Sequence, residues 1–414
     1  MQTLKTFSIF KYSIIVFPLA FAGIPIYIHA PDYYSTNLGI KIEAIGISLL
    51  ILRLSDAFLD PLIGYVSDKF FYLRDKFIYI GAANLLLGFW MIFHPLNENI
   101  LSWFILSVFI CTLGFSMVII NVQAFGGVWN IHKEKIVTVM TIREGISLIG
   151  LLIASITPPL LFIYFKNNNF HILSIILIVL TALSLIFFYS WHRAAEIKKP
   201  VDNQKNRNFR KILKNPRVKL FFTSYFFNSF ATSIPATIII FYVRDYLNAE
   251  SYLGLFLLIY FLSGAASMPL WKYLSNKFSS IYSWFLSMIF AFLSFIWAFF
   301  LEPNNIIGFL IICFLSGIAV GANLALPSAI IAEDIYSKNN QDYASSYYSI
   351  SNFLSKFALA IASGVSLPIL GFLGYVPGIA RNDVLLPFVY AILPCCILLI
   401  SIYLTSKLLN KSSI

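Results

Sequence analysis

The chain has 414 residues, of which 59% are hydrophobic and only 11% are charged, and its formal net charge is +11. Soluble globular domains carry roughly a quarter of their residues as charged side chains, so this composition excludes a water-soluble protein. A bilayer-spanning helix needs about 20 predominantly apolar residues, which gives the chain room for about a dozen spans. The composition predicts an all-α integral membrane protein.

Twelve apolar segments follow one another along the chain, separated by short polar connections. We predict spans at residues 10–31, 43–66, 77–95, 101–127, 138–164, 171–191, 218–242, 251–271, 281–301, 305–329, 346–370 and 386–406. No small-residue cleavage pattern accompanies the first segment, so we interpret it as a span and not as a cleaved signal peptide.

The basic residues are unevenly distributed between the two sides of these spans. Of the 29 Lys and Arg residues, the outer loops hold only Lys41, Lys166, Arg244 and Arg381 when both termini are placed in the cytoplasm. The positive-inside rule favours this orientation, so the net positive charge is a topology signal and no nucleic-acid partner is expected. We expect a monomer in a bacterial inner (cytoplasmic) membrane, with the lipid bilayer around it.

The chain divides into two similar halves. Residues 192–217 form a polar, strongly basic cytoplasmic linker, expected to lie beside anionic lipid, between the half at 1–191 and the half at 218–414. DPLIGYVSDKF at 60–70 is echoed by MPLWKYLSNKF at 268–278. A repeat at half the chain length indicates two parallel six-helix halves, and such transporters bind substrate and coupling ion near the bilayer midplane.

Six charged residues lie inside the predicted spans, where each costs roughly 2.5–3.5 kcal/mol on insertion scales. They are Arg53, Asp56, Asp60, Arg143, Glu144 and Lys356. Arg53, Asp56 and Asp60 project from one helix face because they stand at i, i+3 and i+7.

Two carboxylates one turn apart repel unless a metal cation, a proton or a basic side chain lies between them. The positions equivalent to Asp56 and Asp60 in the second half are Gly264 and Met268, so the repeated helix does not itself require the acids. The sequence therefore predicts a cation-coupling site at Asp56 and Asp60, with Arg53 and Glu144 as ion-pair support. A buried ion-pair network that only packs the helices is the alternative.

The short cytoplasmic turn after the second span is also charged. We predict that Asp68, Lys69 and Arg74 take part in a latch that closes the cytoplasmic side, and a plain solvated turn is the alternative.

The segment from Arg53 to Gly64, RLSDAFLDPLIG, resembles the R-x-x-D-A-x-x-D-P-x-x-G second helix of the glycoside–pentoside–hexuronide:cation symporters, the melibiose-carrier family of the major facilitator superfamily. Glu333 and Asp334, Lys356, and GFLGY at 371–375 resemble its tenth and eleventh helices. The resemblance implies the twelve-helix fold of that superfamily. It also implies that Asp56 and Asp60 hold the coupling cation, that Lys356 approaches it from the other half, and that Arg143 contacts substrate. Glu333 and Asp334 are expected to act in cytoplasmic gating.

Departures from that family bear on ion and substrate. Leu59 and Val118 replace two neutral oxygen-bearing side chains that assist sodium, which favours the proton over sodium as coupling ion. Asn121 and Phe125 align with the aspartate and tryptophan that bind sugar in that family. We therefore name four substrate-binding candidates: Asn121, Phe125, Arg143 and Lys356. A helix–helix hydrogen bond is the alternative for Asn121.

We therefore predict a symporter of a small polar solute, a sugar or glycoside among the candidates, that works by alternating access. It is not expected to be an enzyme or to hold a cofactor, and its only expected metal is a sodium ion at Asp56 and Asp60. A carrier of amphipathic solutes such as lysolipids is one alternative. A membrane-embedded prenyl transferase is the other, although it would need a second aspartate-rich motif where the chain has Gly264 and Met268.

Overall fold

The computed structural model describes residues 6–96, 99–165, 169–199, 210–337, 340–372, 375 and 384–410. Parts of three predicted features lie outside these residues. They are Lys166 and Arg381 of the outer loops, residues 200–209 of the linker, and Leu373 and Gly374 of the GFLGY segment.

Twelve long helices, labelled α1 to α12, occupy the described part of the chain at the predicted spans. They run Thr6–Thr36, Ile42–Lys69, Phe71–Phe93, Ile100–Val128, Lys133–Tyr164, Asn169–Ala194, Pro216–Tyr246, Glu250–Lys277, Ser280–Phe299, Ile306–Ser337, Gln341–Phe372 and Leu385–Asn410. Eleven of them are long and apolar enough to cross a membrane. The other, α2, has 28 residues and carries Arg53, Asp56 and Asp60 along its middle. The predicted all-helical membrane fold is confirmed.

Several helices contain proline and continue past it. Proline lies inside α2, α5, α7, α8, α10 and α11. Such prolines are tolerated in a membrane because neighbouring groups satisfy the backbone atoms that they release. One turn of α1, Pro25–His29, widens to π-helical geometry. Such turns often occur at functional sites, and this one carries Tyr27, which contacts the candidate site.

The chain forms two compact units. The first consists of Met1–Phe209 and Ile331–Asn352, and the second of Arg210–Ile330 and Phe353–Ile414. The first unit thus contains α1 to α6 together with the end of α10 and the start of α11.

Close backbone approach holds α3 against α4 in the first unit. A Cβ on Gly88 would lie 2.4 Å from the Cys111 nitrogen, and one on Gly114 would lie 2.5 Å from the Gly81 carbonyl oxygen. Membrane helices pack tightly through such small residues because the hydrophobic effect does not drive one helix against another within lipid.

The second unit has its own apolar core. The rings of Tyr242 and Tyr390 stack with centroids 4.0 Å apart, and Phe309 packs beside Tyr242 at 5.5 Å. Hydroxyl groups join α7 to α12, since Ser224 and Thr405 share a hydrogen bond of 2.6 Å.

The start of the predicted linker is ordered against the first unit. Trp129 and Ile197 form an antiparallel bridge, and the Lys198 amide donates to the Val128 carbonyl at 2.9 Å. The Lys198 ammonium lies 3.5 Å from the centroid of the Tyr336 ring, and burial lowers the pKa of Lys198. This part of the linker is therefore held by backbone hydrogen bonds, which the sequence did not predict, and its place beside anionic lipid stays a prediction.

Candidate functional site

The two acids of α2 are buried where α2 packs on α4. Asp60 is fully buried and Asp56 is 7% exposed. The Ser116 hydroxyl of α4 donates a hydrogen bond of 2.8 Å to Asp56 Oδ1. The sequence did not predict a role for Ser116. The resemblance to the family pointed to Val118, two residues further on, as the position of the sodium-assisting oxygen. A neutral oxygen therefore does lie beside the carboxylate.

Arg53 lies over an aromatic ring on α1. Its guanidinium carbon is 4.5 Å from the centroid of Tyr27, and Tyr27 is also close enough to Asp56 to interact with it electrostatically. A guanidinium over a ring face is attracted by the ring quadrupole, and more strongly where water is excluded. Tyr27 thus joins Arg53 to the aspartate site, a contact that the sequence did not predict.

Arg143 is fully buried in α5 and pairs with its neighbour Glu144. The Arg143 Nε donates to Glu144 Oε1 at 3.1 Å. The hydroxyl groups of Tyr12 and Tyr348 interact with the same guanidinium. Its Nη1 has no hydrogen-bond partner among the described residues. An unused donor on a buried cation is costly unless a further group accepts from it.

Asp68 is buried at the end of α2 and binds the start of α11. Its carboxylate accepts from Arg74 at 2.9 Å, from the Ser345 amide at 2.9 Å and from the Ser346 amide at 2.8 Å. The Ser346 hydroxyl adds a fourth bond of 2.6 Å. α11 opens with a 3-10 turn, and its α-helical part begins at Ala344. The two amides belong to the first turn of that part, whose unsatisfied N–H groups and dipole favour a negative charge. Asp68 and Arg74 are therefore not part of a plain solvated turn, and their role in cytoplasmic gating stays a prediction.

Asn121 belongs to this same cluster. Its amide nitrogen donates to the Met117 carbonyl at 2.7 Å, and its oxygen accepts from the Ser67 hydroxyl. Ser67 also shares a hydrogen bond of 2.9 Å with Ser345. Asn121 therefore makes the helix–helix hydrogen bond that was its alternative interpretation, and its role in substrate binding stays a prediction.

Phe125 packs among aromatic rings near the same end of the first unit. It is 4% exposed, and its ring lies 5.1 Å from His192 and 5.7 Å from the Arg74 guanidinium. It therefore contacts the latch arginine, and its predicted stacking on substrate is not tested.

The remaining gating candidates differ in environment. Lys69 is exposed and lies 5.6 Å from the Phe70 ring, as expected for a solvated turn. Asp334 accepts from the Tyr347 hydroxyl at 3.2 Å, and Glu333 is half-buried beside it in the chain.

Lys356 lies in the part of α11 that belongs to the second unit, where it is half-buried. The same unit holds a small polar cluster. The Asn323 side-chain oxygen accepts from Trp284 Nε1 at 3.2 Å and from Asn228 Nδ2 at 3.4 Å.

Known proteins match this chain in family and in fold. The family model described as MFS/sugar transport protein matches residues 11–408. No curated protein matches the chain at a significant level. A bacterial homologue of the iron transporter ferroportin, in an outward-facing state, superposes with a TM-score of 0.76 at 15% identity, over 98% of this chain and 100% of that one. The E. coli fucose:proton symporter gives a TM-score of 0.71 at 12% identity, over 96% and 98%.

Proposed function

Because the chain belongs to the MFS/sugar transport protein family of the major facilitator superfamily, we propose that it couples the uptake of a small polar solute to a cation. Its class is that of a multi-pass secondary transporter, as predicted, and it is not an enzyme, since its family and its structural neighbours are transporters. The prenyl-transferase alternative is thereby wrong. The family model confirms the predicted resemblance to sugar transporters of the major facilitator superfamily.

The observation that carries the proposal is the buried pair of carboxylates on α2. Asp56 and Asp60 stand one turn apart at 7% and 0% exposure. Two like charges so close cannot both ionise at low cost unless a cation neutralises one of them. Binding and release of that cation is the chemistry that a coupled transporter needs.

The coupling ion is proposed to be the proton, with sodium as the alternative. The fucose symporter to which the chain is similar is named as proton-coupled. The Ser116 hydroxyl at 2.8 Å from Asp56 adds one neutral oxygen to the site, which is the kind of ligand that sodium requires. The experiment must therefore separate the two ions.

Arg143 is proposed to bind the substrate. Its Nη1 is buried and has no acceptor among the described residues, so an oxygen of a polar solute would complete its hydrogen bonds. Lys356 is proposed to take part in cation coupling and substrate binding, as the family resemblance implies. The Asp68 latch is proposed to close the cytoplasmic side and to open when solute and ion are released there.

Both termini are proposed to be cytoplasmic, in a bacterial inner membrane, and the working protein is proposed to be a monomer.

The test is uptake by the purified protein in proteoliposomes. Sugars, glycosides and organic acids that raise its melting temperature would first be selected as substrates, since a ligand that binds the folded state stabilises it. Accumulation would then be measured under an imposed proton or sodium gradient.

We expect Asp56→Asn and Asp60→Asn to accumulate solute only to the equilibrium level, because neither variant can neutralise the pair by binding the cation. Glu43→Gln is the matched control, an exposed carboxylate on the same helix, and should accumulate solute like the wild type. Accumulation by both aspartate variants at the wild-type level would refute the coupling site. Uptake of lysolipids alone would favour the alternative carrier.

A further inference from the structure

A cavity of about 980 Å³ opens in the first unit at the ends of α1, α3 and α5 and the start of α6. It lies at the other end of α3 from Arg74, and so away from the latch. His29, Asp32, His94 and His171 all line it. Three of the five histidines of the chain therefore line one cavity, and the proposed transport site uses none of them.

Two of these histidines are in direct contact. His94 Nε2 lies 3.0 Å from His171 Nδ1, and His94 Nδ1 lies 2.8 Å from the Trp90 carbonyl oxygen. A carbonyl oxygen only accepts hydrogen bonds, so His94 Nδ1 carries a hydrogen. The neutral His94 ring therefore directs the lone pair of Nε2 at His171, and a single hydrogen separates the two nitrogens.

We propose that this pair is a binding site for one late transition-metal dication, such as Zn²⁺, Ni²⁺ or Cu²⁺. In that site the metal takes a lone pair from His94 Nε2 and from His171 Nδ1. The hydrogen that His171 Nδ1 carried moves by way of solvent to His171 Nε2, so both rings stay neutral and no net proton is released. Imidazole ligands suit these metals, whereas magnesium and calcium prefer oxygen.

The distances fit such a site. Zinc–nitrogen bonds of about 2.0–2.1 Å at a tetrahedral angle place two ligand nitrogens about 3.3 Å apart. The nitrogens are already 3.0 Å apart, so the rings need to separate by only a few tenths of an ångström.

The surroundings of His94 hold its ring in a ligand's orientation. Metal-binding histidines usually donate their second ring N–H to a carboxylate or a backbone carbonyl, as His94 does to Trp90. The His94 ring also stacks on the Trp90 ring with centroids 4.0 Å apart. The Trp90 contacts thus fix both the tautomer and the direction of Nε2.

The cavity supplies the rest of the coordination. Among the described residues, no three His, Cys, Asp or Glu side chains are already gathered as a metal site. The two imidazoles are therefore the ligands that the protein supplies, and water from the cavity completes the coordination shell. Asp32 lines the same cavity and adds a negative charge to its wall. A bound ion would join the end of α3 to the start of α6.

The experiment uses the full chain in detergent, purified with a tag that lacks histidine and freed of metal with a chelator. Isothermal titration with ZnCl₂, NiCl₂ and CuCl₂ should show one ion bound per chain. His94→Ala and His171→Ala should each weaken binding at least about tenfold, since even second-shell losses weaken metal sites by about that factor. His132→Ala, at the opposite end of α5, is the matched control and should bind as the wild type does.

A second readout covers the possibility that an alanine variant fails to fold. Electron paramagnetic resonance of the Cu²⁺-loaded wild type should show two imidazole nitrogens bound to the metal. In a separate measurement, Cu²⁺ should quench the tryptophan fluorescence of the wild type more than that of Trp90→Phe. No binding by the wild type, unchanged affinity in both histidine variants, or fewer than two nitrogens on copper would overturn the proposal.

Discussion

The two copies of the internal repeat, at the ends of α2 and α8, have the same outer surface and different interiors. Leu62 and Leu270 are both exposed, at 56% and 48%. Lys69 and Lys277 lie over the following phenylalanine rings at 5.6 and 5.4 Å. The identical residues thus include those that meet lipid and the membrane boundary, which explains why both halves retain them.

The interior positions differ. Asp68 is 1% exposed and bound to Arg74 and α11, whereas its counterpart Asn276 is exposed. Asp56 accepts from Ser116 on α4. An added Cβ at its counterpart Gly264 would lie 3.2 Å from the Gly317 carbonyl oxygen of α10, which is a tight contact. The same helix is thus polar and charged in one half, and closely packed without charge in the other. We infer that the residues shared by the two copies maintain the helix, and that the acids proposed for coupling and gating belong to the first copy.

The largest effect is expected from removing the charge of Asp68. Asp68→Asn leaves the Arg74 guanidinium buried without its anion, and breaking one side of a buried ion pair costs about 3–5 kcal/mol. We expect a lower melting temperature and a slower transport cycle, measured by thermal unfolding in detergent and by counterflow in proteoliposomes.

The matched control for that prediction is in the other copy of the repeat. Asn276→Ala removes an exposed amide and should change stability by no more than about 0.5 kcal/mol. Equal effects of the two substitutions would mean that the latch contributes nothing, and that the two copies are equivalent after all.

Hydropathy was sufficient to predict the helices, while the contacts between them required the structure. Eleven of the twelve helices are long and apolar enough to cross a membrane, and the acids of α2 stand out because charge in a span is expensive. Ser116 and Tyr27 could not be predicted as partners of the site, since serine and tyrosine are common in membrane helices. Which of them meets α2 depends on how each helix is rotated.

The same reason explains two further differences. Asn121 aligned with a sugar-binding position, and its hydrogen bond with Ser67 appears only once the rotation of α4 is known. His94 and His171 are 77 residues apart in the chain, with no motif linking them, so their contact appears only once α3 and α6 are placed.

A smaller effect, and a sharper test of the polar first copy, is expected from Ser116→Ala. It removes the hydroxyl that donates to Asp56 at 2.8 Å, and a hydrogen bond to a charged group contributes about 1.5–3 kcal/mol. If sodium is the coupling ion, the apparent sodium affinity in uptake assays should fall roughly 10- to 100-fold. This factor is the ratio of affinities that corresponds to the free energy of the lost hydrogen bond. If the proton is the coupling ion, sodium has no effect and the pH dependence of uptake shifts instead.

Ser107→Ala is the control for this substitution, because the Ser107 hydroxyl donates to the Trp103 carbonyl of its own helix, at 2.6 Å, and to no other group of the described residues. Uptake by Ser116→Ala that matches this control in both ion and pH dependence would show that the hydroxyl takes no part in coupling.

The smallest expected effect concerns the second copy, where packing takes the place of charge. A Cβ at Gly321 would lie 2.5 Å from the Gly264 carbonyl oxygen, so Gly321→Ala must push α10 away from α8. Overpacking of this kind costs about 1–3 kcal/mol, which thermal unfolding should detect, while the ratio of accumulated to external solute stays unchanged. Gly254→Ala, at the start of α8 with nothing within 4 Å of the added carbon, should leave stability equal or slightly higher, because alanine favours the helix. A loss of ion coupling in Gly321→Ala, with stability intact, would instead place part of the coupling chemistry in the uncharged copy.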